Sequence, residues 1–207
     1  LDAGKTVGLV GGDHSTPYGL IRALGDRHGE FGILHIDAHC DLRDAYEGFE
    51  FSHASIMFNV LRDVPSVKKI AQVAVRDFSG TEAALAASSA RVATFDDLSL
   101  AAAMFRGETW HALGRRIVDA LPQEVYVSFD IDGLTFENCP HTGTPVCGGL
   151  TFNQAVWLLD TLVRSGRRII GFDVVEVAPA PEAKVDAITG ARMLWKLCNL
   201  TLKSNGQ

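Results

Sequence analysis

The chain of 207 residues is 47% hydrophobic and 21% charged, which suits a single α/β domain over residues 1–207, although two small domains would also fit the length. Its net charge of -6, with no cluster of lysine or arginine, excludes a phosphate-tracking nucleic-acid binder and is compatible with a small cationic substrate. The four cysteines, Cys40, Cys139, Cys147 and Cys198, lack zinc-knuckle spacing and read as reduced thiols of a cytoplasmic protein, and no apolar run suggests a membrane partner.

In chain order, residues 6–10 read as a strand, from which Gly11 and Gly12 permit a tight exit into a loop carrying Asp13 and His14. Ser15 or Thr16 can cap a helix with Pro17 in its first turn, running to about residue 27 on an apolar face of Leu20, Ile21 and Leu24. The apolar run 31–34 predicts a buried strand, beyond which Asp37, His39 and Asp41 alternate. In extended backbone, residues two apart share a side, so these three could face one pocket. Two acids so close repel unless a cation lies between them. The bland alternative is that Asp37 begins a turn, His39 caps it and Asp41 opens a helix. Residues 42–51 read as a pocket-shaping loop, and a helix over about 52–62 follows, with His53 at its start as either a proton-transfer group or a helix-start histidine.

Strands are expected over 70–75 and 91–95 with an alanine-rich helix over 80–89 between them, weak helical periodicity over 98–105, and an amphipathic helix over 110–121 that turns Leu113, Ile117 and Val118 inward. A second apolar strand, 124–132, delivers Asp130 and Asp132 at alternate positions, and a loop over 133–149 rich in glycine and proline follows. A helix over 152–164, capped by Thr151, leads to a third acid-ended strand, 168–176, carrying Asp173 and Glu176, with Pro179 and Pro181 beyond. A final helix spans about 186–202. The alternation of strands and helices predicts an α/β fold, a three-layer αβα arrangement with a mainly parallel sheet. In such sheets ligands bind beyond the carboxyl ends of the strands. His14, Asp37, His39, Asp41, Asp130, Asp132 and Glu176 all fall there.

Two imidazoles and four carboxylates exceed the three protein ligands usual for one catalytic zinc. They suit two adjacent ions that share bridging carboxylates, with manganese favoured over zinc where no thiolate is present. Such ions lower the pKa of water from about 15.7 toward 7, so metal-assisted hydrolysis is the natural chemistry.

The segments Gly11-Gly12-Asp13-His14-Ser15, Asp37-Ala38-His39-Cys40-Asp41, Ser128-Phe129-Asp130-Ile131-Asp132-Gly133-Leu134 with Gly143-Thr144-Pro145, and Asp173-Val174-Val175-Glu176-Val177-Ala178-Pro179 resemble, in order, the four signature blocks of the ureohydrolases, the arginase and agmatinase family. The resemblance implies an arginase/deacetylase-like fold and a cytoplasmic enzyme with two Mn2+ per chain that hydrolyses a guanidinium carbon–nitrogen bond and releases urea. Carried over by position, His14 and Asp41 hold one ion, His39 and Asp132 hold the other, Asp37 and Asp130 bridge them, and Asp13 and Asp173 support the ligands. The resemblance makes His53 the proton relay, Glu176 the partner of the guanidinium, and Asp41 a catalytic residue at the metal. Glu176, Thr144 and His53 are the implied substrate contacts. A homo-oligomer, trimer or hexamer, is implied as well.

Relatives of this kind carry a strand and helices before the first histidine block, so the amino-terminal portion of the family fold is expected to be absent here. Thr135-Phe136 stands where the family pattern has Asp-Pro, and Ser79 stands where arginases carry an acid, whereas the approach from Gly48 to His53 resembles agmatinases. The expected function is an agmatinase-like hydrolase of a small guanidino or amidino substrate. Arginase, guanidinobutyrase and formimidoylglutamase activities are alternatives within the family. Outside it stand a non-catalytic ureohydrolase-like subunit and a one-zinc deacetylase-like hydrolase, against which the six ligands count.

Overall fold

Three strands of near-continuous apolar sequence form the centre of the sheet: β2 (Phe31–Ile36), β5 (Glu124–Asp130) and β6 (Arg168–Val175). They can be so apolar because helices cover both faces, leaving every residue of β2 and all but the first of β5 and β6 buried. In the computed structural model, which describes residues 1–178 and 180–207, the strands β1 (Val7–Val10), β3 (Val67–Val73) and β4 (Val92–Phe95) complete a parallel sheet of order β1-β6-β5-β2-β3-β4. On the edge, β1 alternates half-buried and exposed residues instead.

One face of the sheet packs against α4 (Asp97–Phe105), α5 (Trp110–Asp119), α6 (Phe152–Arg164) and α7 (Val185–Ser204), through a core that includes Leu113, Ile117, Leu158, Leu162, Phe129, Phe172 and Met193. The opposite face carries α1 (Tyr18–Arg27), α2 (Ile56–Asp63) and α3 (Gly80–Ser88), with Ile21, Leu24, Ile33, Ile56, Met57 and Ile70 between the layers. Each such side chain contributes about 1.5–3 kcal/mol on full burial. The three-layer α/β fold expected from the alternation of elements is the one observed.

Differences from expectation lie at element ends. Neither Ser15 nor Thr16 caps α1, whose cap position is Pro17. Their hydroxyls instead donate to Asp13, Ser15 to Oδ1 at 2.7 Å and Thr16 to the carbonyl at 2.9 Å, closing the loop before the helix. The strand expected over 70–75 begins at Val67 and ends at Val73, because Ala74 adopts a φ of 73° and turns the chain out of the sheet. Pro179 lies outside the described residues.

Candidate metal centre

From β2 the chain proceeds outward to β3 and β4, while from β5 it proceeds the other way to β6, so the connections diverge between β2 and β5. A crevice opens at such a point beyond the carboxyl ends of the strands. Asp37 follows β2 and Asp130 ends β5 on its two sides, with relative exposures of 0% and 3%.

The six expected ligands meet in that crevice. His14 Nδ1 lies 2.9 Å from Asp37 Oδ2, 3.1 Å from Asp41 Oδ2 and 3.2 Å from Asp130 Oδ2. His39 Nδ1 lies 3.3 Å from both Asp37 Oδ1 and Asp132 Oδ2. Asp37 therefore presents one oxygen to each histidine and belongs to both groups of ligand atoms close enough to share an ion.

Two acids reach the crevice differently from the alternating strands expected. Because β5 ends at Asp130, Asp132 sits in a 3-10 turn, Ile131–Gly133, where its backbone N–H donates to Asp130 Oδ1 at 2.9 Å. The turn presses so closely on β2 that a Cβ at Gly133 would stand 2.7 Å from the Asp37 nitrogen. Asp41 has left extended backbone altogether, with a φ of 54°, a conformation costly for a non-glycine residue. Its carbonyl accepts the Met57 and Phe58 N–H groups at 3.1 Å each, so the first turn of α2 holds it there. The next amide, Leu42, donates to buried Glu82 Oε1 at 3.2 Å.

Above the ligands is a cavity of about 320 Å³ lined by His14, His39, Asp41, Asp130, His53, Thr144 and Glu176, among others. Glu176 also has a positive φ, 60°. Its N–H donates to Gly12 O at 2.9 Å, its carbonyl accepts Thr142 Oγ1 at 2.8 Å, and its Oε1 accepts the His14 N–H at 2.7 Å. Thr144 Oγ1 is 3.4 Å from Asp132 Oδ2. His53 opens the short helix His53–Ser55, its ring edge-on to Tyr46 with centroids 5.3 Å apart. Asp13 is exposed and closes its own loop.

Charge in the crevice is severely crowded. Burial raises the Asp130 carboxyl well above its ordinary range, reinforced by Asp132 and Asp37. Burial would lower the His39 imidazole, yet Asp132 and Asp37 outweigh it and hold the group up at about 11. Burial likewise opposes the charge on His14, but Asp130, Asp37 and Asp41 raise it well above the usual histidine range. Acids packed this closely call for a counter-charge among them.

The residues fit divalent ions on a further observation. His14 Nε2 lies 2.8 Å from Ser128 Oγ, while Nδ1 and Asp41 Oδ2 are buried without a hydrogen-bond partner among the described residues. Buried polar atoms seldom remain unpaired. An imidazole whose Nε2–H is donated to Ser128 turns the Nδ1 lone pair toward three carboxylate oxygens, a cation-binding donor set.

Support for the ligands comes from residues that sequence reasoning passed over. His35, in β2, places Nε2 2.8 Å from Asp37 Oδ2, with Gln72 Nε2 3.3 Å from its Nδ1. Its spacing two residues before Asp37 was the available signal, since side chains at that interval share a side in a strand. Asp173 Oδ1, by contrast expected nearby, accepts the Phe129 N–H at 3.0 Å and ties β6 to β5 beneath Asp130.

The chain is a parallel three-layer α/β protein whose switch point carries histidine-aspartate clusters able to hold metal ions. The arginase family matches residues 1–199, and the chain belongs to that family. It is 34% identical over 204 residues to N(1)-aminopropylagmatine ureohydrolase of Thermus thermophilus, covering 97% of this chain and 64% of that protein. To an agmatinase of Neisseria meningitidis it is 31% identical over 202 residues, with 97% and 61% covered. The crystal structure of a hypothetical agmatinase from Burkholderia thailandensis superposes with a TM-score of 0.83 at 27% identity, over 100% of this chain and 62% of that one. The chain thus spans less than two thirds of the length of these relatives.

Proposed function

We propose that the chain is a dimanganese amidinohydrolase of agmatinase type, which cleaves a guanidinium carbon–nitrogen bond to give urea and an amine. The observation that carries this reading is the shared position of Asp37, one oxygen beside His14 and the other beside His39, directly under a cavity walled by Glu176. His14, Asp41 and Asp130 would hold one ion, His39 and Asp132 the other, with Asp37 and Asp130 shared. Manganese bound there supplies Lewis acidity and a water activated for attack at neutral pH.

The protein's own groups bind and orient the substrate. Glu176, clasped at its N–H, carbonyl and Oε1, is a preorganised acceptor for guanidinium N–H groups, a charge-assisted contact that fixes the planar carbon over the ligands. His53 on the cavity wall passes a proton to the departing nitrogen, so that guanidinium and water become urea and an alkylammonium. Thr144 also lines the cavity. Ser79, at the position where an arginase carries an acid, is engaged in capping α3 together with Glu82, which favours a substrate without an α-amino group. At the cavity, the exposed Asp77 carboxylate suits a tail ending in an amine. The same reading carries a cytoplasmic setting and a trimer or hexamer; among the described residues no helix is long and apolar enough to cross a membrane.

The deciding experiment measures urea from agmatine, arginine and 4-guanidinobutyrate with the purified protein, in manganese and then in chelator, alongside its metal content. Manganese-dependent urea from agmatine with two ions per chain is expected. No uptake of metal would defeat the proposal.

A further inference from the structure

Arg76 follows β3 and is half-buried at the edge of the crevice. By sequence it is an unremarked strand-end arginine, yet its guanidinium donates to five backbone carbonyls. Nη1 reaches Ala74 at 2.9 Å, and Nε reaches Cys147 at 3.0 Å. Nη2 reaches Asp132 at 2.6 Å and Val146 at 2.9 Å, with Leu134 at 3.2 Å. Three segments meet on this one group: the exit of β3, the turn that carries Asp132, and the loop whose Thr144, Pro145 and Val146 line the cavity.

The loop is shaped to admit it. Gly148 and Gly149 have φ values of +98° and +96°; a Cβ on Gly148 would stand 2.5 Å from Asp97 Oδ2 and 3.1 Å from Arg76 Cδ, and one on Gly149 2.6 Å from the Leu134 carbonyl oxygen and 3.0 Å from Arg76 Nη2. Only a planar fork with N–H groups on both Nε and Nη sides can bridge acceptors spread this way. Lysine offers its three donors from a single point.

We propose that Arg76 is a positioning residue, whose guanidinium sets the Asp132 carboxylate beside His39 and, through the same nitrogen, sets the cavity wall at Val146. Asp132 and the wall then move together or not at all. The consequence for metal and substrate rests on the function proposed above; the consequence for the backbone does not.

A second arginine provides the control. Arg91 donates to the carbonyls of Val67, Leu61 and Val64 at 2.8, 2.6 and 2.8 Å, at the amino-terminal end of β3, away from the crevice. Arg76→Lys and Arg91→Lys therefore remove comparable clamps at opposite ends of the sheet.

The test compares both variants with the full wild-type chain by amide hydrogen exchange, Mn2+ titration and urea kinetics. In Arg76→Lys, exchange over residues 131–135 and 143–149 is expected to rise by about tenfold or more, and affinity for one of two ions to fall by about 10- to 100-fold, the loss usual for partners that orient ligands. Apparent kcat should fall in step with that loss when manganese is limiting, and KM at saturating manganese should rise with the displaced cavity wall. Arg91→Lys should leave all three at wild-type values, whatever its melting temperature. Arg76→Gln, which keeps a planar amide in place of the fork, should reproduce the exchange pattern and gives a second route if Arg76→Lys does not fold. Unchanged exchange in those segments, or equal effects from the two arginine variants, overturns the proposal. A wild-type chain that takes up no Mn2+ would fail the functional reading, while the exchange comparison would still decide the clamp.

Discussion

Glu176 and His14 are 162 residues apart in the chain, yet the carboxylate of the first accepts the backbone N–H of the second at 2.7 Å. The bond joins the loops after β6 and β1, neighbouring strands, and aims the remaining carboxylate capacity at the cavity. Glu176→Gln keeps an acceptor for His14 but removes the charge that faces a guanidinium. Turnover of agmatine should fall by about 100-fold or more, consistent with loss of a positioned charged contact worth several kcal/mol, while manganese content stays at two per chain. Metal analysis beside steady-state kinetics checks both halves.

Asp37 is the shared acid, so its loss differs in kind from loss of Asp132. Asp37→Asn should weaken both ions, by at least the roughly 10- to 100-fold that supporting partners of ligands typically cost. Asp132→Asn should weaken one. Titration with Mn2+ followed by desalting and elemental analysis distinguishes two, one and none.

The stability of the metal-free protein and the stabilisation that manganese adds should change with pH in opposite directions. In the metal-free chain His39 is raised from 6.5 to about 11 by Asp132 and Asp37, against burial. Its contribution to stability is fully present below the unfolded value and is lost as pH rises through the folded one. Melting temperature without metal should therefore fall between pH 7 and 10. A cation must displace that proton, so Mn2+ affinity, and the rise in melting temperature it gives, should increase over the same range. Thermal scans with manganese and with chelator at several pH values read both.

Thiol chemistry should divide the cysteines by depth. Cys147 and Cys198 are exposed, whereas Cys40 and Cys139 are buried. Burial pushes the Cys139 thiol up to about 12 and raises Cys40 as well, with nearby acids adding to both. A thiolate is the reacting form. Maleimide at pH 8 should label Cys147 and Cys198 rapidly in the native protein and reach the other two only after unfolding, as peptide mapping would show.

Much of this architecture was legible before any coordinates. Apolar runs predicted β2, β5 and β6, because strands covered on both faces need no polar alternation. The acids and histidines at their ends were conspicuous because so many like charges near buried strands require a counter-charge. All six expected ligands do converge. What periodicity could not supply was how Asp41 and Asp132 arrive there, since both depart from extended backbone: Asp41 under contacts from α2, Asp132 in a turn pinned by Asp130 and Arg76.

The sequence by itself therefore determined the layered α/β fold, the end of the sheet where the crevice forms and which histidines and acids are available there, because hydrophobic pattern and residue chemistry are local properties. Only the tertiary structure decided that Asp37 stands between His14 and His39, that His35 contacts Asp37 and Ser128 contacts His14, and that one arginine ties Asp132 to the cavity wall. Those relationships depend on which strands become neighbours and on hydrogen bonds to backbone carbonyls, which every residue carries and no side-chain pattern reveals.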